Sequence, residues 1–86
     1  MATYKILYWQ EVPSQIRVED DQDDVTIEMP LRFTERIDLL AAKRGLQSSD
    51  DYLAQWRWSD EEDRDGTAAE VAKAVQEELE AQADWS

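Results

Sequence analysis

Carboxylates are the most abundant side chains in this sequence with chemistry to offer. Aspartate and glutamate together number 21, and two dense runs lie at 20–24 and 60–65. Carboxylate oxygens are the ligands that hard cations such as Mg²⁺ and Ca²⁺ prefer. A helix-loop-helix calcium loop, however, combines oxygens at alternate positions with a central glycine and a distal glutamate, and neither run has this combination. Both runs are therefore predicted to be solvated charge rather than metal sites.

Catalytic groups of other kinds are scarce. The chain has no histidine and no cysteine, which removes the commonest general base, any thiolate nucleophile and the usual zinc ligands. Acid–base catalysis by two carboxyl groups needs environments dry enough to separate their pKa values, yet almost every acid lies in a hydrophilic run. Lys5 has apolar neighbours but fits an exposed strand position. We therefore expect no enzyme activity, no catalytic residue, no metal and no cofactor.

The aromatic residues carry the strongest signal for binding. Four tryptophans and three tyrosines are many for 86 residues, and the sequence Trp56-Arg57-Trp58 brings two tryptophans together around an arginine. Tryptophan and arginine are enriched in protein-interface hot spots. Small domains also use tryptophan to fill the core and let arginine stack on it. Trp9, which lies just before Val12-Pro13-Ser14-Gln15, has the same two interpretations, and both stay open.

An antiparallel sheet is the first element that must position these residues. Three stretches have the alternation or the β-branched and aromatic composition of strands: Thr3–Trp9, Gln15–Glu19 and Val25–Met29. The first has bulky residues on both faces and is expected to be a central strand. Pro13 marks a turn at 11–14, and the acidic run 20–24 is expected at a hairpin tip. The other face of the first strand, which carries Leu7 and Trp9, then needs another part of the chain or a partner to cover it.

Helices follow the predicted strands. Three segments have apolar residues at helical spacing: Leu31–Arg44, Ser48 to about Trp58, and Thr67–Gln82. Gly45 stands where a left-handed cap would end the first, and Thr67 with Glu70 forms a capping box for the third. The polar segment 59–66 is predicted to be a loop. Together these elements predict one domain over residues 1–86, a two-layer α+β fold with two to three strands and about three helices.

The charge balance narrows the class of partner. Nine lysines and arginines against 21 acids give a net charge of −12. Such a surface repels phosphate backbones and anionic membranes, so direct binding to nucleic acid or membrane is not expected. The sequence has no long apolar run and no recognisable signal peptide, which predicts a cytoplasmic location. A protein partner or a second copy of the chain remains the expected class of ligand.

Several short motifs are spread over most of the chain, from the first strand to the last helix. They are Tyr8-Trp9, Val12-Pro13-Ser14-Gln15-Ile16, Tyr52-Leu53, Gln55-Trp56-Arg57-Trp58, Arg64, Gly66 and Glu70-Val71-Ala72. With these motifs the sequence resembles the bacterial virulence factor domain family, whose domain also occurs fused behind helical repeats. The resemblance implies a standalone bacterial member, without catalytic residues to transfer, and its fusion to binding scaffolds suggests an interaction role.

The leading hypothesis from the sequence is a non-catalytic protein-binding or accessory module of a cytoplasmic bacterial complex. The candidate partner-binding residues are Trp9, Pro13, Ser14, Gln15, Arg17, Trp56, Arg57, Trp58 and Arg64. A small-molecule carrier is one alternative and would need a closed pocket lined by Tyr8, Tyr52 and Trp56. An acidic nucleic-acid mimic that fills a basic groove of a partner is the other.

Overall fold

The alternating N-terminal segments form an antiparallel sheet, and the helical segments pack beside it. The computed structural model describes residues 1–46 and 49–83. The strands are β1 (Ala2–Trp9), β2 (Val12–Glu19), β3 (Asp24–Glu28), β4 (Trp56–Trp58) and β5 (Glu62–Arg64). The helices are α1 (Leu31–Lys43), α2 (Ser49–Ala54) and α3 (Ala68–Gln82). The α+β class is confirmed, but the expectation of two to three strands is wrong, because β4 and β5 extend the sheet.

The two unexpected strands share one edge of β1. The sheet runs in the order β3-β2-β1, and then β4 pairs with the C-terminal half of β1 while β5 pairs with its N-terminal half. The predictions of a helix continuing to Trp58 and of a loop over 59–66 are therefore wrong at these strands. Both strands hydrogen-bond with backbone N–H and C=O groups of β1. The need for this pairing comes from a distant part of the chain, and a strand of three residues is too short to show an alternating pattern. Between them Ser59 continues the pairing, because its N–H donates to the Ile6 carbonyl and its hydroxyl accepts from the Ile6 N–H, each at 2.8 Å.

The turn between β1 and β2 lies earlier than the sequence predicts. It consists of Gln10 and Glu11, with Gln10 in the left-handed region at φ 53°, and β2 already includes Pro13. The register shifts here: Leu7 pairs with Gln15, whereas Tyr8 pairs with Pro13. The residue skipped by this bulge is Ser14. A bulge is one of the few places where a strand tolerates proline, which explains why Pro13 does not end β2.

The acidic run forms the predicted hairpin tip between β2 and β3. Its closing bond joins the Asp20 N–H to the Asp23 carbonyl at 2.9 Å. Val18 pairs with Val25, and Ile16 with Ile27, so the apolar residues of both strands share one face. The third strand forms as predicted, shifted by one residue toward the N-terminus.

Helices α1 and α3 cover that apolar face. Both contact β2, and α3 also contacts β1 and β3. Phe33 of α1 and Leu79 of α3 line one groove together with Tyr8 and Pro13, which places both helices on the same side of the sheet. The largest fully buried side chains are Trp9, Phe33, Ile16, Ile37, Val12, Val18 and Val71. Complete burial of a side chain such as Phe33 contributes about 2–3 kcal/mol.

The predicted helix boundaries in these two elements hold. Gly45 has φ 68°, the left-handed conformation that favours glycine after a helix. The Thr67 hydroxyl accepts from the Glu70 N–H and the Glu70 carboxylate accepts from the Thr67 N–H, which completes the capping box. The N-cap predicted at Ser48 lies outside the described residues, as does Trp85. None of the described helices is long and apolar enough to cross a membrane.

Candidate protein-binding surface

The second face of the sheet carries polar, cationic and apolar side chains in ordered rows. Successive residues of a strand point to opposite faces, so Lys5 and Leu7 lie opposite the helix-covered side. Residues paired across strands stand side by side on one face. The register therefore places Gln15, Leu7 and Trp58 in one row and Arg17 beside Lys5 in the next. We call these five residues the open-face patch.

Trp58 is the main apolar group of the open-face patch. It remains 43 % exposed, and the Lys5 ammonium lies 4.7 Å from the centroid of its ring. Leu7, its partner across the strands, is half-buried. A cation on an indole face restrains the ring at an exposed site and leaves its other face wet. The result is a large amphipathic side chain that loses little conformational freedom when a partner covers it.

Arg17 supplies the second cation of the open-face patch. Its Nε lies 3.6 Å from a Glu19 carboxylate oxygen, and its Nη2 lies 3.4 Å from a carboxylate oxygen of Asp24. All three side chains are about half exposed or more. Exposed ion pairs of this kind are worth roughly 0–1 kcal/mol. Arg17 can therefore exchange these carboxylates for one on a partner at little cost.

A separate tryptophan cluster lies one row further along β1, where Trp9 pairs with Trp56. Trp9 is 0 % exposed, and its ring centroid lies 5.6 Å from that of Tyr52. Tyr52 meets Trp56 edge to face at 5.9 Å, and the Trp9 Nε1–H donates to the Tyr52 carbonyl at 3.0 Å. The core interpretation thus holds for Trp9, whose side chain has no surface to offer a partner. Tyr52 of α2 supplies the cover that this part of β1 needed.

The remaining candidate residues are dispersed. Pro13 is buried, and Ser14 uses its carbonyl to accept from the Met29 N–H. Arg57 pairs with Tyr8 and lies over the Tyr8 ring at 5.2 Å, on the face opposite Trp58. Its Nη2–H also donates to the Gln10 carbonyl at 3.3 Å.

Arg64 makes a contact within the fold. It is half-buried, and its guanidinium donates to the Glu78 carboxylate, which ties β5 to α3. Of the nine candidates the structure places Gln15, Arg17 and Trp58 in the open-face patch, and it pairs Trp9 with Trp56 in the tryptophan cluster one row further along β1. From the sequence, Lys5 was predicted to be an exposed strand residue and not a binding residue, and Leu7 was noted only for its uncovered face. Their alternation along β1 was visible, but the register that places Trp58 beside Leu7 was not.

Among the described residues, each carboxyl group whose pKa is displaced has a lowered pKa, which favours the ionised form. Hydrogen bonds from the guanidinium groups of Arg44 and Arg64 hold the pKa of Glu11 and the pKa of Glu78 below their ordinary values. The Thr67 N–H lowers the pKa of Glu70 in the same way. A general acid near neutral pH needs a raised pKa. These groups therefore act as anionic hydrogen-bond acceptors.

Asp20 links the hairpin tip to the last helix. One carboxylate oxygen accepts from the Gln22 and Asp23 N–H groups at 2.7 and 2.6 Å, and the other accepts from the Ala68 N–H at 2.8 Å. The three amides, led by that of Ala68, lower the pKa of Asp20. Half of this arrangement is a local Asx-type turn, which the acidic run could predict. The bond to Ala68 spans 48 positions and has no local signal.

The three aromatic residues expected to line a carrier pocket are not brought together. Tyr52 and Trp56 pack against each other and against Trp9. Tyr8 lines two other grooves, one with Phe33 and Leu79 and one at the β4 edge with Arg57 and Trp58, and neither includes Tyr52 or Trp56. The geometry predicted for a small-molecule carrier is therefore absent from these residues.

Comparison with known proteins settles the family. A family model described as virulence factor matches residues 7–86. The chain belongs to the virulence factor family. This match confirms the resemblance drawn from Tyr8-Trp9 and Gln55-Trp56-Arg57-Trp58. It covers the last three residues of β1 and all of the elements from β2 to α3. No curated protein and no solved structure matches the chain.

Proposed function

We propose that this virulence factor family member is a non-catalytic accessory module that binds a protein partner through the open-face patch, in a cytoplasmic bacterial complex. The observation that carries the proposal is Trp58, which is 43 % exposed on the edge strand β4, beside Leu7 of β1, with the Lys5 ammonium over its ring. Tryptophan is the side chain most enriched in binding hot spots, and such residues cluster near the middle of an interface.

The surroundings of Trp58 define the partner's chemistry. Leu7 and Trp58 form an apolar row, and Lys5 and Arg17 form a cationic row beside it. A complementary surface would cover the indole with an apolar side chain and place a carboxylate near the two cations. The chain's net charge of −12 would oppose a strongly acidic partner at long range, so a mostly neutral or basic protein with one local carboxylate fits best.

The chemistry of the carboxyl groups supports a role without catalysis. The acids with displaced pKa values, such as Glu11 and Glu78, are bonded to cations or amides and favour their ionised forms. No histidine or cysteine is present in the sequence to serve as base or nucleophile. A binding role uses what the open-face patch offers and needs no reaction centre.

The test compares two large apolar residues that are both exposed. Leu53 of α2 is 63 % exposed and lies outside the open-face patch, so Leu53→Ala is the matched control for Trp58→Ala. Tagged wild type, Trp58→Ala and Leu53→Ala are expressed in the native cells, and co-purifying proteins are quantified by mass spectrometry. The partner is then purified, and its affinity for each variant is measured by calorimetry.

We expect Trp58→Ala to weaken the affinity for the purified partner by at least about tenfold, and Leu53→Ala to change this affinity by no more than about twofold. Circular dichroism and thermal unfolding show whether each variant is folded. A folded Trp58→Ala protein that retains wild-type affinity would refute the proposal. Hydrolysis or group transfer of a substrate by the purified chain would refute its non-catalytic part.

A further inference from the structure

β3 lies at one end of the strand order, and the chemistry of its outer edge differs from that of the open-face patch. The sheet order ends at β3, and within residues 1–46 and 49–83 no strand pairs with its outer side. A free strand edge presents a row of backbone donors and acceptors to which another strand can add. This edge is five residues long and lies at the opposite end of the strand order from Trp58.

The direction of the backbone groups follows from the ladder. In an antiparallel pair the inter-strand bonds fall on every second residue pair. The Met29 N–H donates to the Ser14 carbonyl, and the Asp20 N–H donates to the Asp23 carbonyl. The bonded pairs between these two are therefore Ile16 with Ile27 and Val18 with Val25. The backbone N–H and C=O groups of the alternate residues point outward: these residues are Asp24, Thr26 and Glu28.

The side chains along this edge differ between the two faces. Asp24, Thr26 and Glu28 are exposed on the open face. Val25 and Ile27 are half-buried and pack against the core on the helix side. An added strand would place alternate side chains beside two carboxylates and the others beside two branched aliphatic groups. The edge therefore selects a strand that alternates basic and apolar residues.

Charge excludes a second copy of β3 as the occupant. An antiparallel pair centred on Thr26 would place Asp24 of each copy opposite Glu28 of the other. Like charges directly opposite each other destabilise a sheet, and both chains carry a net charge of −12. A strand with cations at these two positions reverses the sign of both contacts. Acidic edges are also a device against aggregation, and the same charges that reject a copy attract a basic segment.

We infer that β3 accepts an extended basic segment of another protein as an additional antiparallel strand, with basic residues opposite Asp24 and Glu28 and apolar residues opposite Val25 and Ile27. This surface goes beyond the proposed function, which rests on the open-face patch. A partner can use either surface alone. The two surfaces adjoin, because Arg17 of the open-face patch lies 3.4 Å from Asp24, and the test separates them by whether a ligand affects β3 or Leu7 and Trp58.

A synthetic peptide tests the inference directly. The probe is a nine-residue peptide with the central sequence lysine-valine-threonine-valine-lysine, and its control has glutamate in place of both lysines. Each is titrated at low ionic strength into the full chain labelled with ¹⁵N. We expect the lysine peptide to shift the amide signals of Asp24, Thr26 and Glu28 and to slow their hydrogen exchange. Added salt should weaken the binding, because the contacts are exposed charges.

Charge reversal sharpens the test. The double variant Asp24→Lys/Glu28→Lys should prefer the glutamate peptide. Relative to wild type, the ratio of its affinities for the lysine and glutamate peptides should fall by about tenfold or more. Thr26→Pro removes an outward N–H that β2 does not use and should abolish binding, whereas Thr26→Val keeps this donor and should bind. If the double variant is unfolded, Glu28→Lys alone repeats the test at one position.

Three results would overturn the inference. The first is an unchanged preference for the lysine peptide in the folded charge-reversed variant. The second is a peptide-induced shift centred on Leu7 and Trp58, or no shift at all up to millimolar peptide. The third is a dimer of the chain formed through β3, which would show that a second copy is the occupant.

Discussion

Trp9 and Trp58 occupy neighbouring rows of one sheet face, but their environments are opposite. Trp9 is 0 % exposed and in ring contact with Tyr52, whereas Trp58 is 43 % exposed with the Lys5 ammonium 4.7 Å from its ring centroid. Both belong to strands rich in aromatic residues. Tyr52 of α2 accounts for part of the difference, because its ring packs against Trp9 and against Trp56, the partner of Trp9 across the strands. Burial of a tryptophan in this fold thus depends on a remote element that covers it, and only the uncovered row is available for binding.

The largest expected effect is that of Trp9→Ala. Loss of a fully buried indole and its packing should lower the free energy of unfolding by about 3–5 kcal/mol. This is a large share of the roughly 5–10 kcal/mol expected for a domain of this size. Urea denaturation followed by circular dichroism measures it. Trp9→Phe is the milder control, which keeps an aromatic ring but loses the 3.0 Å bond to the Tyr52 carbonyl.

Tyr52→Ala removes the cover while leaving Trp9 in place. We expect a loss of about 2 kcal/mol, because Tyr52 is half-buried and makes ring contacts with both Trp9 and Trp56. Acrylamide should quench the tryptophan fluorescence of the folded variant more strongly than that of wild type. Leu53→Ala, at the next position of α2, should change stability by only about 0.5 kcal/mol. Equal quenching in Tyr52→Ala and wild type would contradict the role of α2 as a cover.

Trp58→Ala should cost less than about 1 kcal/mol, because much of the ring is already in water and the contact with Lys5 is an exposed one. Thermal unfolding and urea denaturation both measure this. A loss as large as that of Trp9→Ala would remove the distinction between the two rows. It would also mean that Trp58 stabilises the fold rather than presenting a surface.

The smallest effect is confined to alkaline solution. Burial, with a smaller contribution from Asp38, raises the pKa of the Tyr52 hydroxyl above its ordinary value of 10.0. Above that value the unfolded chain ionises first, so this part of the stability is complete below pH 10.0 and is lost as the pH rises through the folded pKa. Tyr52→Phe should lose less stability than wild type over this interval. Urea denaturation at neutral and alkaline pH gives the comparison, and equal losses in both proteins would contradict it.

Sequence patterns predicted the elements whose information is local. The alternation in Thr3–Trp9, the capping box of Thr67 and Glu70, and the glycine stop at Gly45 all appear in the structure. Each depends on residues within a turn or a strand of one another. The charge run at 20–24 likewise predicted a hairpin tip without knowledge of its neighbours.

The missed features depend on distant residues. Trp56-Arg57-Trp58 is a strand because β1 has backbone groups to pair, and three residues contain too little periodicity to show it. Pro13 continues β2 because a bulge opposite Tyr8 accommodates it. The candidate site was similarly predicted in part: Trp58 was named, but its neighbours Lys5 and Leu7 follow from register. Trp9 and Trp58 could not be separated before the position of Tyr52 was known.

The carboxylate of Asp20 joins two segments that are far apart in the sequence. Two amides of the hairpin tip donate to one of its oxygens, and the Ala68 N–H, 48 positions downstream, donates to the other. The first N–H groups of a helix have no carbonyl partner within the helix. The hairpin tip thus supplies the acceptor that the start of α3 lacks. A change at Asp20 is therefore expected to loosen both segments at once.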